Sequence, residues 1–166
     1  IFDIQYCTYP DLLVEVLRND PNANVRASAA KALGVLNYRE ALPQLTDAMK
    51  DDEWVCFAAI EALTDIKDEG SIDNIATLLN SPSEALRFAA IEALGKFGSP
   101  KAQHPLIEHI ARTTEFERKA TIISLVQGGA VSWFTGIADD LIEMLKNDEW
   151  EDKFVAIKGV TALKDE

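Results

Sequence analysis

The feature that most constrains the fold of this chain is a repeat of about 30 residues, which runs through most of its 166 positions. Each copy contains an alanine, an apolar residue, any residue, a second alanine or small residue, and a leucine or valine. The steps between copies are 30, 31, 31 and 35 residues. A fixed period of this length is typical of solenoid proteins. The copies, of which the last two are degenerate, begin at Ala29, Ala59, Ala90, Thr121 and Ala156.

Two helices are predicted in each repeat, because apolar residues recur at spacings of three and four in a short segment and then in a longer one. Asp, Ser, Thr or Asn comes just before each longer segment, as expected for an N-cap. No segment alternates as a strand would. The repeats are predicted at 10–36, 39–66, 71–97, 102–127 and 135–163, with an enlarged loop before the last. Glycines near the segment ends predict left-handed helix ends: Gly34, Gly70, Gly95 and Gly98.

Two stretches of the chain resemble the HEAT-like repeat family in its short form, of roughly 30 residues. They are DPNANVRASAAKALG at 20–34 and SPSEALRFAAIEALG at 81–95. The resemblance covers about residues 10–166. It implies a scaffold for binding, since most members of this family bind other molecules and only some are enzymes.

We therefore predict an all-α fold, a right-handed α-α superhelix (HEAT-like solenoid) of about five two-helix repeats. One helix pair cannot bury its apolar face alone, whereas stacked pairs share a continuous core. Residues 1–166 are predicted to form a single array. The chain opens on Ile1 rather than Met, so we expect it to be a fragment of a longer protein.

The charge balance excludes several classes of partner. Asp and Glu number 28 against 16 Lys and Arg, a net charge of −12, and no cluster of basic residues occurs. Nucleic acids and anionic membranes are recognised by such clusters, so neither is expected as a partner. No apolar stretch approaches the roughly 20 residues of a membrane helix. The two isolated cysteines, Cys7 and Cys56, are predicted to be reduced, packed thiols in a cytoplasmic protein.

Few residues suggest catalysis, so we expect that this chain is not an enzyme and binds no cofactor. His104, Glu108 and His109 lie close in sequence, but a metal site normally needs three or four ligands. We expect them to be solvent-facing polar residues. Deoxyhypusine hydroxylase is a HEAT-like metal enzyme with His-Glu pairs in its longer helices, and the corresponding pairs here begin with Phe57 and Phe88.

A candidate binding surface follows from the columns of the aligned long helices. Residues four apart share one helix face, and the core columns occupy another face. The family resemblance implies that this face lines a concave groove with aromatic anchors and an acidic rim. Trp150 is predicted to be a core residue instead. The predicted groove residues are Trp54, Phe57, Glu61, Asp65, Phe88, Glu92 and Phe154.

A second column holds basic residues at Arg26, Arg87, Arg118 and Lys153. The resemblance implies that the arginines bond within the array and tie repeats together.

Two functions are compatible with these features. The first is a non-catalytic scaffold that holds a protein or peptide, with a preference for a basic segment, in the groove. The second is a phycobilin-lyase-like or other cofactor-handling HEAT-repeat enzyme with a pocket at one end.

Overall fold

The computed structural model describes residues 9–113, 115–129 and 137–164. Within these residues every regular element is helical, which confirms the all-α prediction. Short 3-10 turns cover Arg39–Ala41, Glu69–Ser71 and Leu78–Asn80. The α-helices are α1 (Tyr9–Asn19), α2 (Ala23–Val35), α3 (Leu42–Ala48), α4 (Glu53–Asp65), α5 (Ile72–Thr77), α6 (Glu84–Phe97), α7 (Pro100–Ile110), α8 (Glu115–Gln127), α9 (Ala138–Lys146) and α10 (Trp150–Lys164).

The long helices begin where polar side chains replace missing backbone partners. Asn22, Asp52 and Ser83 each accept a hydrogen bond from a backbone N–H in the first turn of α2, α4 and α6. Such caps satisfy donors that the first helical turn leaves free. The residue types expected at these N-caps are thereby confirmed for the three helices.

The helix ends differ from the sequence prediction at most of the glycines. Gly98 ends α6 with φ 63°, as predicted. The left-handed residues that follow α2 and α4 are instead Asn37 (φ 51°) and Lys67 (φ 53°). Asparagine tolerates this region better than most residues, but lysine is uncommon there. The expectation of left-handed ends was therefore wrong at the other three predicted positions: Gly34, Gly70 and Gly95.

Two of these glycines serve close helix packing. A Cβ atom on Gly34 of α2 would lie 2.6 Å from the Cα of Ala62 in α4. A Cβ atom on Gly95 of α6 would lie 2.7 Å from the Cβ of Ser124 in α8. Because real side chains do not approach so closely, these positions need glycine for the contact between successive long helices.

The chain divides into two compact units, Ile1–Ile75 and Ala76–Glu166. In the first, α2 packs along α4, with α1 against α2 and α3 against α4. In the second, α6 packs against α8 and α8 against α10, while α7 and α9 pack on the long helices. Each unit thus stacks its helix pairs in chain order. The prediction of one array over residues 1–166 remains a prediction.

Some sequence predictions lie outside the described residues. They concern Cys7, the enlarged loop at 130–136 and the first residues of the fifth repeat, 135 and 136.

Candidate functional site

Two of the core positions in the long helices follow the first alanine of the repeat by one and by four residues. In α10 these positions are Ile157 and Val160, which are 57% and 40% exposed. In the four earlier long helices they are at most 3% exposed: Ala30, Ile60, Ile91 and Ile122 at the first position, and Leu33, Leu63, Leu94 and Leu125 at the second. Helix α10 therefore presents to solvent two of the columns that are core in the earlier long helices, while the alanine column stays buried at Ala156.

Two aromatic residues extend this apolar face of α10. Trp150 and Phe154 are exposed, and spacings of four and three residues place them on one helix face with Ile157. We call Trp150, Phe154, Ile157 and Val160 the α10 surface. The prediction that Trp150 is a core residue was wrong, because it opens α10 on this outward face and is 73% exposed.

In the first unit, the predicted groove residues all lie on α4. Trp54 is exposed and Phe57 is half-buried, with ring centroids 6.2 Å apart. Glu61 and Asp65 are exposed on the same helix, and a Glu61 carboxylate oxygen lies 3.3 Å from Nζ of Lys31 in α2. The four residues are thus together, with one carboxylate engaged by the neighbouring helix.

In the second unit, the predicted Phe88 and Glu92 lie on α6. Phe88 is half-buried, and its ring meets that of Phe116 edge-on at 5.4 Å. Glu92 is exposed and pairs with Lys96 at 2.7 Å. Sequence reasoning missed Phe116, although it is 67% exposed and occupies the column of Trp54.

The groove itself remains a prediction. Trp54, Phe57, Glu61 and Asp65 belong to the first unit, and Phe88, Glu92 and Phe154 to the second.

The arginine column ties successive repeats together, as the family resemblance implies. Arg26 donates to both carboxylate oxygens of Asp51 at 2.7 Å, and Arg118 does the same with Asp140. These bonds raise the pKa of both arginines. Arg87 donates to Glu117 and to the backbone oxygen of Ser81. Each arginine therefore binds a carboxylate 22 to 30 residues further along the chain.

Glu117 belongs to a buried polar cluster between α6, α7 and α8. Burial alone would raise its pKa, but hydrogen bonds from Thr113 and Arg87 outweigh this effect and lower it. Nε2 of His109 lies 3.5 Å from Glu117 Oε2 without a hydrogen bond. Burial lowers the pKa of His109, and Glu117 offsets this only in part. His109 was expected at the surface, and its burial against this cluster overturns that expectation.

The residues that the structure describes give little support for metal binding or for a reactive thiol. Within them, no three His, Cys, Asp or Glu side chains are grouped as metal ligands would be. His104 is exposed, as predicted, and pairs with Glu108 at 3.4 Å. Cys56 is a buried free thiol, and burial raises its pKa to about 11. A thiol so rarely ionised is a poor nucleophile.

An open cavity of about 780 Å³ lies in the second unit, between α8, α9 and the start of α10. Ile122 and Met144 are its buried apolar lining, and Phe116 borders it. The remaining residues around it are charged or polar: Arg118, Lys119, Asp140, Glu143, Lys146, Asn147 and Asp152.

Two comparisons with known proteins bear on this chain. The family model described as HEAT repeats matches residues 10–73 and 52–126. A protein of Pseudanabaena tenuis named "uncharacterized phycocyanin operon protein Z" is 26% identical over 157 residues, which cover 89% of this chain and 75% of that protein. In the described parts of the chain, no helix combines the length and the apolar character needed to cross a bilayer.

Proposed function

The chain belongs to the HEAT-repeat family, and we propose that it is a non-catalytic scaffold whose α10 surface binds a helix of a partner protein. The observation that carries this proposal is the exposure of Ile157 and Val160 at columns that are buried in every earlier long helix. An apolar face of this kind is suited to contact with a further helix, and the proposal is that a partner protein supplies that helix.

The kind of partner follows from how the earlier repeats are covered. In the second unit, α6 is covered by α8, and α8 by α10. A partner helix with small and apolar side chains would continue the same packing against α10. Trp150 and Phe154 supply large rings, which often dominate the energy of an interface.

Lys153 suggests a polar group that the partner should carry. It occupies the column of Arg26, Arg87 and Arg118, each of which finds a carboxylate in the following repeat. Among the described residues, no carboxylate lies within 4 Å of the Lys153 ammonium group. A partner carboxylate placed as in the earlier repeats would complete this position.

The acidity of the chain favours a partner that also carries basic residues. The net charge is −12, and opposite charges speed and orient association. Nucleic acid and membrane are not proposed as partners. The free thiol of Cys56 suits the reducing cytoplasm, where we place this function.

The test is binding of a purified partner, first identified by affinity capture with the full-length protein. The variant Phe154→Ser/Ile157→Ser should weaken binding at least tenfold, since two apolar anchors are lost. Its matched control is Val35→Ser/Leu36→Ser, which changes two exposed apolar residues of the first unit. Equal affinity of both variants would contradict the proposal. So would a finding that a second copy, or a further segment of the same polypeptide, covers the α10 surface.

A second candidate is a cofactor-handling role of the phycobilin-lyase type. The name of the Pseudanabaena relative and the cavity of about 780 Å³ favour it. A bilin carries two carboxylates, which need basic side chains, yet Arg118 and Lys119 are already paired with Asp140 and Asp152. Titration with phycocyanobilin tests this role. A saturable red shift of its absorbance, lost in Lys146→Gln, would support it over the scaffold.

A further inference from the structure

Most of the charged side chains around the cavity beside α10 are already paired with one another. Arg118 donates to both carboxylate oxygens of Asp140 at 2.7 Å. The ammonium group of Lys119 lies 2.7 Å from the buried carboxylate of Asp152. These two pairs neutralise four of the six ionised groups around the cavity. The polar groups of these two pairs are therefore engaged with each other and are not free to bind a ligand.

Glu143 and Lys146 are the remaining charged residues at the cavity. Both are exposed, and neither has an ion-pair partner within 4 Å among the residues that the structure describes. Lys146 has a long, flexible side chain that reaches water at low cost. Glu143 has a shorter side chain, and its charge stays near the helix.

The charge of the whole chain favours a cation in the cavity. The net charge is −12, and its effect reaches over a long range. The two helix ends beside the cavity do not decide the sign, because the partial negative charge at the end of α9 and the partial positive charge at the start of α10 offset each other.

The apolar part of the cavity suits a flat cationic group on an aliphatic stem. Ile122 and Met144 are almost fully buried and form the apolar lining. Phe116 is 67% exposed, so most of its ring remains available although Phe88 meets it edge-on. A guanidinium group stacks on an aromatic face and also forms bidentate bonds with a carboxylate.

We propose that this cavity binds an arginine side chain of the partner, stacked on Phe116 and paired with Glu143. The proposal rests on the scaffold function above and names a second anchor beside the α10 surface. The stem of the arginine would lie against Ile122 and Met144. Lysine would fill the site less well, because its ammonium group lacks the planar face.

The chain offers a direct readout, since Met49 and Met144 are its two methionines. Met144 lines the cavity, whereas Met49 lies in the first unit. Methyl-labelled methionine therefore gives two NMR signals, one at the site and one internal reference. The probe is Nα-acetyl-arginine methylamide, and its neutral isostere is the citrulline derivative.

We expect the arginine probe to shift the Met144 signal saturably and to leave Met49 unchanged. The citrulline probe should bind several-fold more weakly, because it lacks the charge. Glu143→Gln should weaken binding of the arginine probe about fivefold, as expected for loss of one exposed ion pair. The matched control is Glu84→Gln, which removes one exposed negative charge from α6, away from the cavity.

Three results would overturn the arginine site. They are an unchanged Met144 signal, equal binding of arginine and citrulline, and tighter binding of Nα-acetyl-glutamate methylamide. These outcomes are separate from failure of the scaffold function, which is measured with the partner and Phe154→Ser/Ile157→Ser. If that variant loses partner binding but the arginine probe leaves the Met144 signal unchanged, only the arginine site is contradicted. If the arginine probe shifts the Met144 signal but Phe154→Ser/Ile157→Ser still binds the partner, only the α10 surface is contradicted.

Discussion

Arg87 and Glu117 are 30 residues apart in the chain, yet Nη2 of the arginine lies 2.6 Å from Oε1 of the glutamate. The glutamate side chain is only 9% exposed, and the arginine 23%. The pair joins α6 to α8 at the column where Arg26 and Arg118 form similar bonds. Each of these bonds links one repeat to the next at the same column.

Removal of this arginine should destabilise the second unit. Arg87→Met leaves a buried carboxylate with fewer partners, and we expect the free energy of unfolding to fall by about 1–3 kcal/mol. The control is Lys96→Met, which breaks a pair of similar length whose partners are mostly exposed, and should cost under about 0.5 kcal/mol. Urea denaturation measures both. Equal losses would show that Arg87 acts only as a surface charge.

The buried histidine should make stability depend on pH. The pKa of His109 is lowered in the folded protein, so the unfolded chain takes up this proton more readily. The free energy of unfolding therefore falls as the pH drops below about 6.5, the ordinary value for histidine. The loss continues until the pH reaches the folded pKa.

The chain has two histidines, which gives this prediction a matched control. His109→Gln should flatten the dependence of the melting temperature on pH between about 7.5 and 5.5. His104→Gln, at an exposed position, should leave that dependence unchanged. The same slope in both variants would mean that other groups cause the effect.

Two residues of one repeat column should respond differently to the same substitution. Leu94 is fully buried in α6, whereas Val160 is 40% exposed in α10. Leu94→Asp should cost several kcal/mol, because an unpaired charge is placed in an apolar core. Val160→Asp should cost under about 1 kcal/mol and should weaken partner binding instead. Calorimetry and the binding assay separate these results, and a large loss of stability in both variants would show that Val160 is core.

Repetition made the fold predictable from the sequence. Each core column is sampled five times, so the alanine and leucine columns stood out even where Thr121 replaced the alanine. The exposed aromatic Phe116 could have been found in the same way, because it aligns with Trp54. Trp150 was misplaced as a core residue, although it aligns with Glu53, which is also exposed at the start of its long helix.

The carboxylates that bind the arginine column could not be predicted by the same reasoning. Asp51, Glu117 and Asp140 follow their arginines by 25, 30 and 22 residues and lie in a turn, a long helix and a short helix. A side-chain carboxylate reaches the same point from several backbone positions, so no fixed spacing results. The cavity beside α10 has no sequence signature either, since it is a gap between helices.

Phe88 and Phe154 occupy the same repeat column. Substituting them should separate effects on stability from effects on partner binding. Phe88 is half-buried and packs edge-on against Phe116, so Phe88→Ala should lower the free energy of unfolding by about 1–2 kcal/mol. Phe154 is exposed, so Phe154→Ala should change stability by less than about 0.5 kcal/mol. The same variant should weaken partner binding about tenfold, because an aromatic anchor is lost. Thermal unfolding and calorimetric titration measure the two effects, and a stable Phe154→Ala protein with unchanged affinity would remove this ring from the interface.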